Sequence, residues 1–409
     1  MSRDYKDLIV GLDIGTSKIT CMVSEVRPDG SLNVVGLASQ PSSGLKKGVV
    51  VNIEATVEAI SRVVQEVEVM ANCKIRDVYT GIAGSHIKSY SSKGMVAIKD
   101  KEVTDLDVAR VIEVARAMSI PADQQILHVL MQEFIIDGQD GVREPIGMSG
   151  IKLEVEAHII TGAISAAQNV VKCVRRCGLE VADLTLHPLA SSAAVLSDDE
   201  QELGVCLVDI GGGTTDIAVY TQGAIRHTAV LPVAGDQITN DIAMALRTPT
   251  ADAEEMKILH GLALHSLADP LDMIEVPGVG DRAARRLSRQ NLADVIEPRV
   301  SEIFELIQVE LRRSGYEELL SSGLVLTGGA AVMKGMEALG EEIFHMPVRL
   351  GIPLYDGALS DVICQPHYAT VMGLVLEGTN QRRRGAQVKE GRVVKHMFGR
   401  IKNWFIRNF

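Results

Sequence analysis

The sequence predicts an internally duplicated α/β chain: two related domains, each opening on the same short unit. Three observations predict it. Leu8 to Asp13 is an unbroken apolar strand ending in Asp, followed by the tight turn Gly15-Thr16-Ser17-Lys18 and a returning strand, Ile19 to Val26. The theme recurs at Val205 to Asp209, with the turn Gly211-Gly212-Gly213-Thr214-Thr215-Asp216 and the returning strand Ile217 to Thr221. A third glycine turn, Thr327-Gly328-Gly329-Ala330, follows strand Gly323 to Leu326 and opens a helix.

The elements follow in order. After the first unit, Pro28-Asp29-Gly30 turns the chain into a third strand, Ser31 to Ser39. Val49 to Ala71 has helical periodicity, with Ile53, Val57, Ile60, Val64 and Val67 on one face. Strand Val78 to Ala83 completes a meander–helix–strand unit. From Gly84 to Ile164 the pattern shifts to strands around one helix, Asp105 to Met118, which reads as an inserted small α+β module at 84–164. Helix Ser165 to Cys177, strand Val181 to Thr185 and helix Leu189 to Leu196 resume the first domain, assigned to 1–83 and 165–203. The second domain is assigned to 204–240 and 306–377, with a distal helical subdomain at 241–305 that is interrupted at Asp269 to Arg282. Residues 378–393, polar and rich in Gly, Arg and Gln, read as a flexible linker. Residues 394–409 read as an amphipathic helix.

Composition narrows the class. At 409 residues, 46% hydrophobic and 23% charged, the chain is globular and too long for one core. No apolar run reaches spanning length, and the charged start leads straight into a strand, so neither a transmembrane segment nor a leader is expected. Cys173 and Cys177 share a helix, but no second cluster at ligand spacing completes a metal site, so the cysteines read as core. The net charge is −12, yet from Arg382 onward nine basic side chains stand against Glu390 alone. An acidic body excludes nonspecific nucleic-acid binding, while the basic tail asks for an anionic partner of its own.

A strand that ends in Asp and turns back through small residues offers backbone N–H groups to a phosphate and a carboxylate to Mg²⁺. The third turn allows close backbone approach to a flat ring. On these motifs the chain resembles the actin, Hsp70 and sugar-kinase superfamily. The resemblance implies ATP in the interdomain cleft, with Asp13 and Asp209 facing Mg²⁺ through water. It implies nucleotide contacts from Gly15, Thr16, Ser17, Lys18, Gly211, Gly212, Gly213, Thr214 and Thr215. Further contacts would come from Gly235, Asp236, Glu254, Lys257, Gly328, Gly329, Ala330 and Met333. Where the superfamily's first connecting helix begins with the Gln or Glu that orients the attacking water, this chain has His187. ATP binding, with slow turnover at most, is the expectation.

The tail refines the resemblance. Val394, Met397, Phe398, Ile401, Trp404 and Phe405 recur at helical spacing, flanked by Lys395, Arg400, Lys402 and Arg407, a pattern suited to an anionic lipid interface. With the inserted module, the motif Asp209 to Tyr220 and Val295-Ile296-Glu297-Pro298-Arg299, the chain resembles the FtsA family, membrane-tethering actin homologues of bacterial cell division. That resemblance implies a peripheral protein at the cytoplasmic face of the inner membrane that forms filaments with itself. It implies that the distal subdomain binds the acidic C-terminal peptide of the tubulin-like GTPase FtsZ, and that the inserted module receives later division proteins. Arg282, Arg285, Arg286, Arg289 and Arg299 supply a cationic footprint for such a peptide. A pilus-type assembly adaptor and a shape-determining actin remain the alternatives on the same fold.

Overall fold

The structure is a computed structural model describing residues 8–27 and 29–390, with side chains to residue 383. The first domain opens with β1 (Leu8–Ile14), β2 (Lys18–Val26) and β3 (Leu32–Pro41). The two-residue strands β4 (Leu45–Lys46) and β5 (Val49–Val50) follow, then α1 (Ile53–Ala71) and β6 (Asp77–Ile82). The inserted module comprises β7 (Lys88–Ala97), α2 (Asp105–Arg116), β8 (Gln124–Ile136), β9 (Gln139–Val142) and β10 (Lys152–Ala163). The first domain resumes with α3 (Ile164–Arg176), β11 (Glu180–Leu186), α4 (His187–Val195) and α5 (Asp198–Leu203). The second begins with β12 (Val205–Ile210), β13 (Thr215–Thr221) and β14 (Ala224–Leu231), followed by α6 (Gly235–Leu246) and α7 (Thr250–His260). It continues through β15 (Met273–Val276), β16 (Arg285–Ser288), α8 (Arg289–Ser314), β17 (Leu324–Thr327), α9 (Met336–Phe344) and β18 (Val348–Leu350). Helices α10 (Ser360–Ile363) and α11 (Ala369–Glu390) end the described chain.

The duplication is visible in strand order. One sheet runs β3-β2-β1-β6-β11 and the other β14-β13-β12-β17-β18, each with two antiparallel joints followed by two parallel ones. Strict alternation explains how each opening strand is buried on both faces. Leu8, Val10, Leu12 and Ile14 join the first domain's core with Ile60, Val63 and Val67 of α1, while Ile9 points to a central core. In β12, Cys206, Val208 and Ile210 join the second domain's core with Phe304, whereas Val205 and Leu207 point to the same central core. That central core is built on α4 and α11, which cross where Gly373 lies against the Ala190 backbone. Each fully buried aliphatic side chain contributes roughly 1.5–3 kcal/mol, so the domains share their binding energy through these helices.

Local signals set the ends of elements. Asn52 caps α1, its Oδ1 accepting from Ala55 N at 3.2 Å, and Asn72 ends the helix in the left-handed region. Thr104 and Asp107 form a capping box at the start of α2. The inserted sheet, ordered β7-β10-β8-β9, leans on the edge strand β14. There Ser89 Oγ donates to Thr228 O at 3.0 Å and Gln132 Nε2 to Ile225 O at 2.8 Å.

Several expectations need correction. Residues 378–390, expected to form most of a flexible linker, are helical instead, because α11 continues through Glu390. Helix-favouring Gln, Arg and Ala dominate there, and the first turns are held by packing. Gly378 sits against the Tyr79 ring, Thr379 is buried, and Gln381 and Arg383 bond Asp183 and Gly30 O. The interruption at 269–282 contributes β15, which pairs with β16 in a hairpin. The boundary drawn at residue 305 falls inside α8, a 26-residue helix that ties the distal subdomain to the second domain. The third glycine turn opens a single 3₁₀ turn, Ala330–Val332, and α9 begins only at Met336. Among the described residues no helix is long and apolar enough to cross a membrane. The expected amphipathic helix, including Met397, Phe398, Arg400, Ile401, Lys402, Trp404, Phe405 and Arg407, lies outside them.

Candidate functional site: a two-sided anion cleft

The two opening units meet face to face. In each, the turn closes with the same hydrogen bond, Gly15 N to Lys18 O at 3.0 Å and Gly211 N to Thr214 O at 2.9 Å. The turns touch across the cleft: a Cβ on Gly212 would lie 3.0 Å from Ser17 Cβ, and one on Gly213 would lie 2.7 Å from Thr16 Oγ1. Between them is a cavity of about 590 Å³. It is lined by Asp13, Gly15, Thr16, Ser17, Lys18, His187, Asp209, Gly211, Gly212, Gly213 and Thr214. Gly235, Glu254, Lys257, Gly328, Gly329, Ala330 and Met333 line its other side. Two expected residues do not line it. Thr215 is turned to the protein interior, donating from Oγ1 to Val233 O at 2.7 Å. Asp236 lies behind the second turn, its backbone N donating to Gly212 O at 2.8 Å as α6 docks there.

The cleft is electrostatically divided. At its floor, Asp209 is buried and accepts from Ser191 Oγ at 2.5 Å and Thr370 Oγ1 at 3.2 Å. Burial pushes its carboxyl up, with the Ser191 bond acting in the opposite direction. Burial likewise pushes Asp216 up to about 7. Lys18 is pulled down to about 8 by burial, against the pull of Asp13 and Asp209, and its Nζ lies 4.5 Å from the Tyr368 ring centroid. His367 is lowered to about 4, by burial first and Lys18 second. On the far side Lys257 Nζ donates to Glu254 Oε2 at 2.7 Å, Thr239 Oγ1 at 2.9 Å and Gly235 O at 3.1 Å.

The buried atoms that lack partners point to what the cleft holds. Asp13 Oδ1, Asp216 Oδ1 and His187 Nε2 are buried without a hydrogen bond, and His187 Nε2 lies 3.6 Å from Asp13 Oδ1. Leaving buried polar atoms unsatisfied costs roughly 1–3 kcal/mol each, a cost that a bound group would relieve. Carboxylate oxygens on the floor suit a hard divalent cation, and the turn N–H groups with Lys18 suit phosphate oxygens. The residues fit a magnesium nucleotide. The cation would supply neutralisation of phosphate charge, while the turn N–H groups and Lys18 would position the phosphates.

Asp216 gives the cleft a pH signature. Its folded value lies above the ordinary 3.8, so the folded state holds this proton more tightly than the unfolded chain. The stability from the neutral form is complete below about pH 4 and is lost as the pH rises through about 7. Asp216→Asn, always neutral, is expected to lose less melting temperature than the parent between those limits. Thermal melts without nucleotide check this, and parallel curves for the two proteins would refute it.

Some site residues carry no local signal. Ser191 and Thr370 reach Asp209 from the two connecting helices, and Gly48 and His367 reach the cavity from distant loops. Asp216 stood inside the second motif, but a strand aspartate reads as a surface residue until the sheet is known to be covered. Arg289, expected to face a partner, lines the cavity and donates to His260 O at 2.8 Å and Asp272 at 3.3 Å. Its place at the first turn of α8, which begins beside the cleft, accounts for this. Arg285 donates to Leu246 O, and Arg299 is engaged by Asp241 and Glu302. Arg282 and Arg286 are exposed and form no ion pair among the described residues.

Two duplicated sheets, crossing helices and a cleft of paired glycine turns define the actin-like ATPase fold. Solved structures share it: a PilM-PilN type IV pilus biogenesis complex aligns with a TM-score of 0.64 and 19% identity over 91% of this chain and 98% of that one. MreB5 of Spiroplasma citri bound to ADP aligns at 0.55 and 14% identity over 95% and 100%. Residues 206–373 match the model described as Cell division protein FtsA, and residues 84–161 match the SHS2 domain inserted in FTSA. Full-length relatives are more specific. The chain is 56% identical over 409 residues to Cell division protein FtsA of Pseudomonas aeruginosa, covering 98% of each. It is 44% identical over 414 residues to that of Escherichia coli K12, covering 99% of each. The chain belongs to the FtsA family of cell division proteins.

Proposed function

We propose that the chain binds ATP with Mg²⁺ in the cleft, turns it over slowly, and couples FtsZ filaments to the inner membrane of a dividing bacterium. The observation that carries the reading is the pair of facing glycine turns with unsatisfied Asp13 and Asp216 oxygens in one cavity of a cell-division family member. His187 supports slow turnover, because its imidazole stands beside Asp13 where the fold's hydrolytic members place a water-orienting Gln or Glu. Self-assembly would follow from a head-to-tail contact that does not close. The inserted module, projecting beside β14, would receive later division proteins.

Two surfaces give the tether its ends. The C-terminal segment, expected from its spacing to form an amphipathic helix, would supply six apolar residues on one face and flanking cations for anionic lipid. The distal subdomain supplies a groove of about 470 Å³ lined by Asp241, Met244, Ala245, Val295, Pro298, Arg299 and Glu302, with Arg286, which forms no ion pair among the described residues, on the hairpin that packs on α8. Met244, Ala245, Val295 and Pro298 suit the apolar side chains of the FtsZ peptide and Arg286 its acidic ones, while Arg299 is shared with Asp241 and Glu302. The pilus-type alternative rests on fold likeness alone, whereas identity to division proteins spans the chain.

One co-sedimentation experiment with anionic vesicles and labelled FtsZ C-terminal peptide tests both ends. Intact protein is expected to carry the peptide down with the vesicles. Trp404→Glu, which puts a charge in the apolar face, is expected to leave protein and peptide in solution. Arg286→Glu with Arg299→Gln is expected to keep the protein on vesicles and lose the peptide, most strongly at low salt. Trp404→Glu protein that still sediments, or charge-altered protein that still carries peptide, refutes the corresponding end.

A further inference from the structure

We propose that the loop carrying Lys47 and Gly48 reads the terminal phosphate of the bound nucleotide, Lys47 supplying the charge and Gly48 fixing its place. The inference rests on the nucleotide reading above and assigns that site a further binding residue outside the glycine motifs.

The loop is wedged against three parts of the cleft at once. Gly48 lines the cavity, and its backbone N donates to Thr16 Oγ1 at 3.0 Å, in the first phosphate turn. Ser42 N, at the loop's start, donates to Ser17 O at 2.9 Å in the same turn. Lys47 Cα lies 3.0 Å from the position a Cβ would take on Gly213, so the lysine is rooted directly on the second turn. Gly48 meanwhile abuts the start of the inserted module, where its own Cβ would fall 3.0 Å from Gly84 Cα and 3.1 Å from Ala83 C.

The conformation is that of a two-residue hairpin turn between β4 and β5, whose pairing of Lys46 with Val49 fixes where the turn stands. Lys47 and Gly48 are consecutive left-handed residues, with φ of 51° and +75°. For lysine that region costs roughly 1–2 kcal/mol, which the pairing of β4 with β5 and the Gly48 N to Thr16 Oγ1 bond offset. Lys47 is exposed and forms no ion pair among the described residues, and although it does not itself line the cavity its neighbour Gly48 does, which leaves the ammonium free to reach toward a bound phosphate. Its flexible stem suits a point charge on a phosphate rather than a fixed fork. The second turn is where the outer phosphates fall if the first and second turns divide the chain of phosphates between them. A cation rooted there distinguishes a triphosphate from a diphosphate.

The test is equilibrium titration of the full chain with Mg²⁺ and either ADP or a non-hydrolysable β,γ-imido ATP analogue. Lys47→Gln is expected to raise the Kd for the triphosphate analogue about tenfold, as for loss of a hydrogen bond to a charged group, and to leave ADP within about twofold. Lys47→Arg is expected to restore much of the preference. Lys46→Gln, on the adjacent strand β4, is expected to leave it intact. Hydrogen exchange supplies a second readout: the analogue should slow exchange at Gly48 more than ADP does, and Lys47→Gln should remove the difference. Equal weakening of both nucleotides, or no change in either, overturns the role of Lys47 while leaving the nucleotide site standing. Parent protein that binds neither nucleotide overturns the site and this role together.

Discussion

Gly328→Val is expected to abolish nucleotide binding, with affinity falling at least a hundredfold, while Gly329→Ala keeps most of it. The two neighbours look equivalent in sequence and are not equivalent in space. Gly328 has a φ of +88°, and a Cβ there would run into Asp209 Oδ1 and stand 2.6 Å from Ile210 O. Those atoms belong to the opening strand of the second domain, which is buried along its whole length and cannot yield. Strain of roughly 1–2 kcal/mol for the left-handed backbone adds to overpacking of about 1–3 kcal/mol, and the carboxylate that would face the cation is displaced. Gly329 has only His367 Cβ near its missing Cβ, at 3.9 Å, so a methyl group fits. Titration of both variants with ATP, alongside circular dichroism to show that each is folded, separates the two roles. Matching affinities would mean that the turn after β17 does not approach the nucleotide.

Gly373→Ala is expected to cost at least about 3 kcal/mol, a large loss for one methyl group. Gly373 lies on α11 where it crosses α4, and an added Cβ would penetrate Ala190 O and lie 2.9 Å from Ala190 Cα. Backbone meets backbone there, so no rotamer change can make room. The helices would have to separate, opening contacts among Ile9, Leu207, Met372 and Val375 in the central core. Because both domains draw on that core, the melt should shift as a whole rather than split. Denaturant unfolding followed by tryptophan-independent far-UV dichroism measures it. A variant as stable as the parent would show that the crossing relaxes freely.

Regular alternation and glycine punctuation made much of the fold legible. The burial of β1 and β12 on both faces appears as uninterrupted apolar runs, and each terminal aspartate marks the point where the strand emerges into the cleft. Long-range partners were not legible. Nothing near Ser191, Thr370 or Gly48 in the chain announces Asp209 or Thr16, because those approaches are created by the helix crossing and by a loop folding back. Charge misled in the distal subdomain for a related reason. A cluster of arginines reads as one footprint, yet Arg289 turns to the cleft and Arg299 is satisfied by Asp241 and Glu302. The extent of α11 was missed because a polar, glycine-containing stretch reads as linker unless its packing on Tyr79 and Asp183 is known.

That packing turns α11 into a base plate. Between Val371 and Arg383 the helix packs on the first domain, against Gly11, Ala190, Tyr79 and Asp183, whereas Thr370 at its start touches the aspartate of the second. Whatever follows Glu390 therefore leaves the molecule from the first domain's frame of reference. If that end is held, the second domain becomes the moving jaw, with the start of α11, where Thr370 meets Asp209, as its pin. Helix α8, about 39 Å long at the usual rise per residue, is the arm of that jaw. A swing of about five degrees at the pin, a modest domain rotation, would carry the tip of such an arm by roughly 3 Å. A grip on the distal subdomain would thus be felt at the cleft, and a change at the cleft would be felt by whatever the distal subdomain holds.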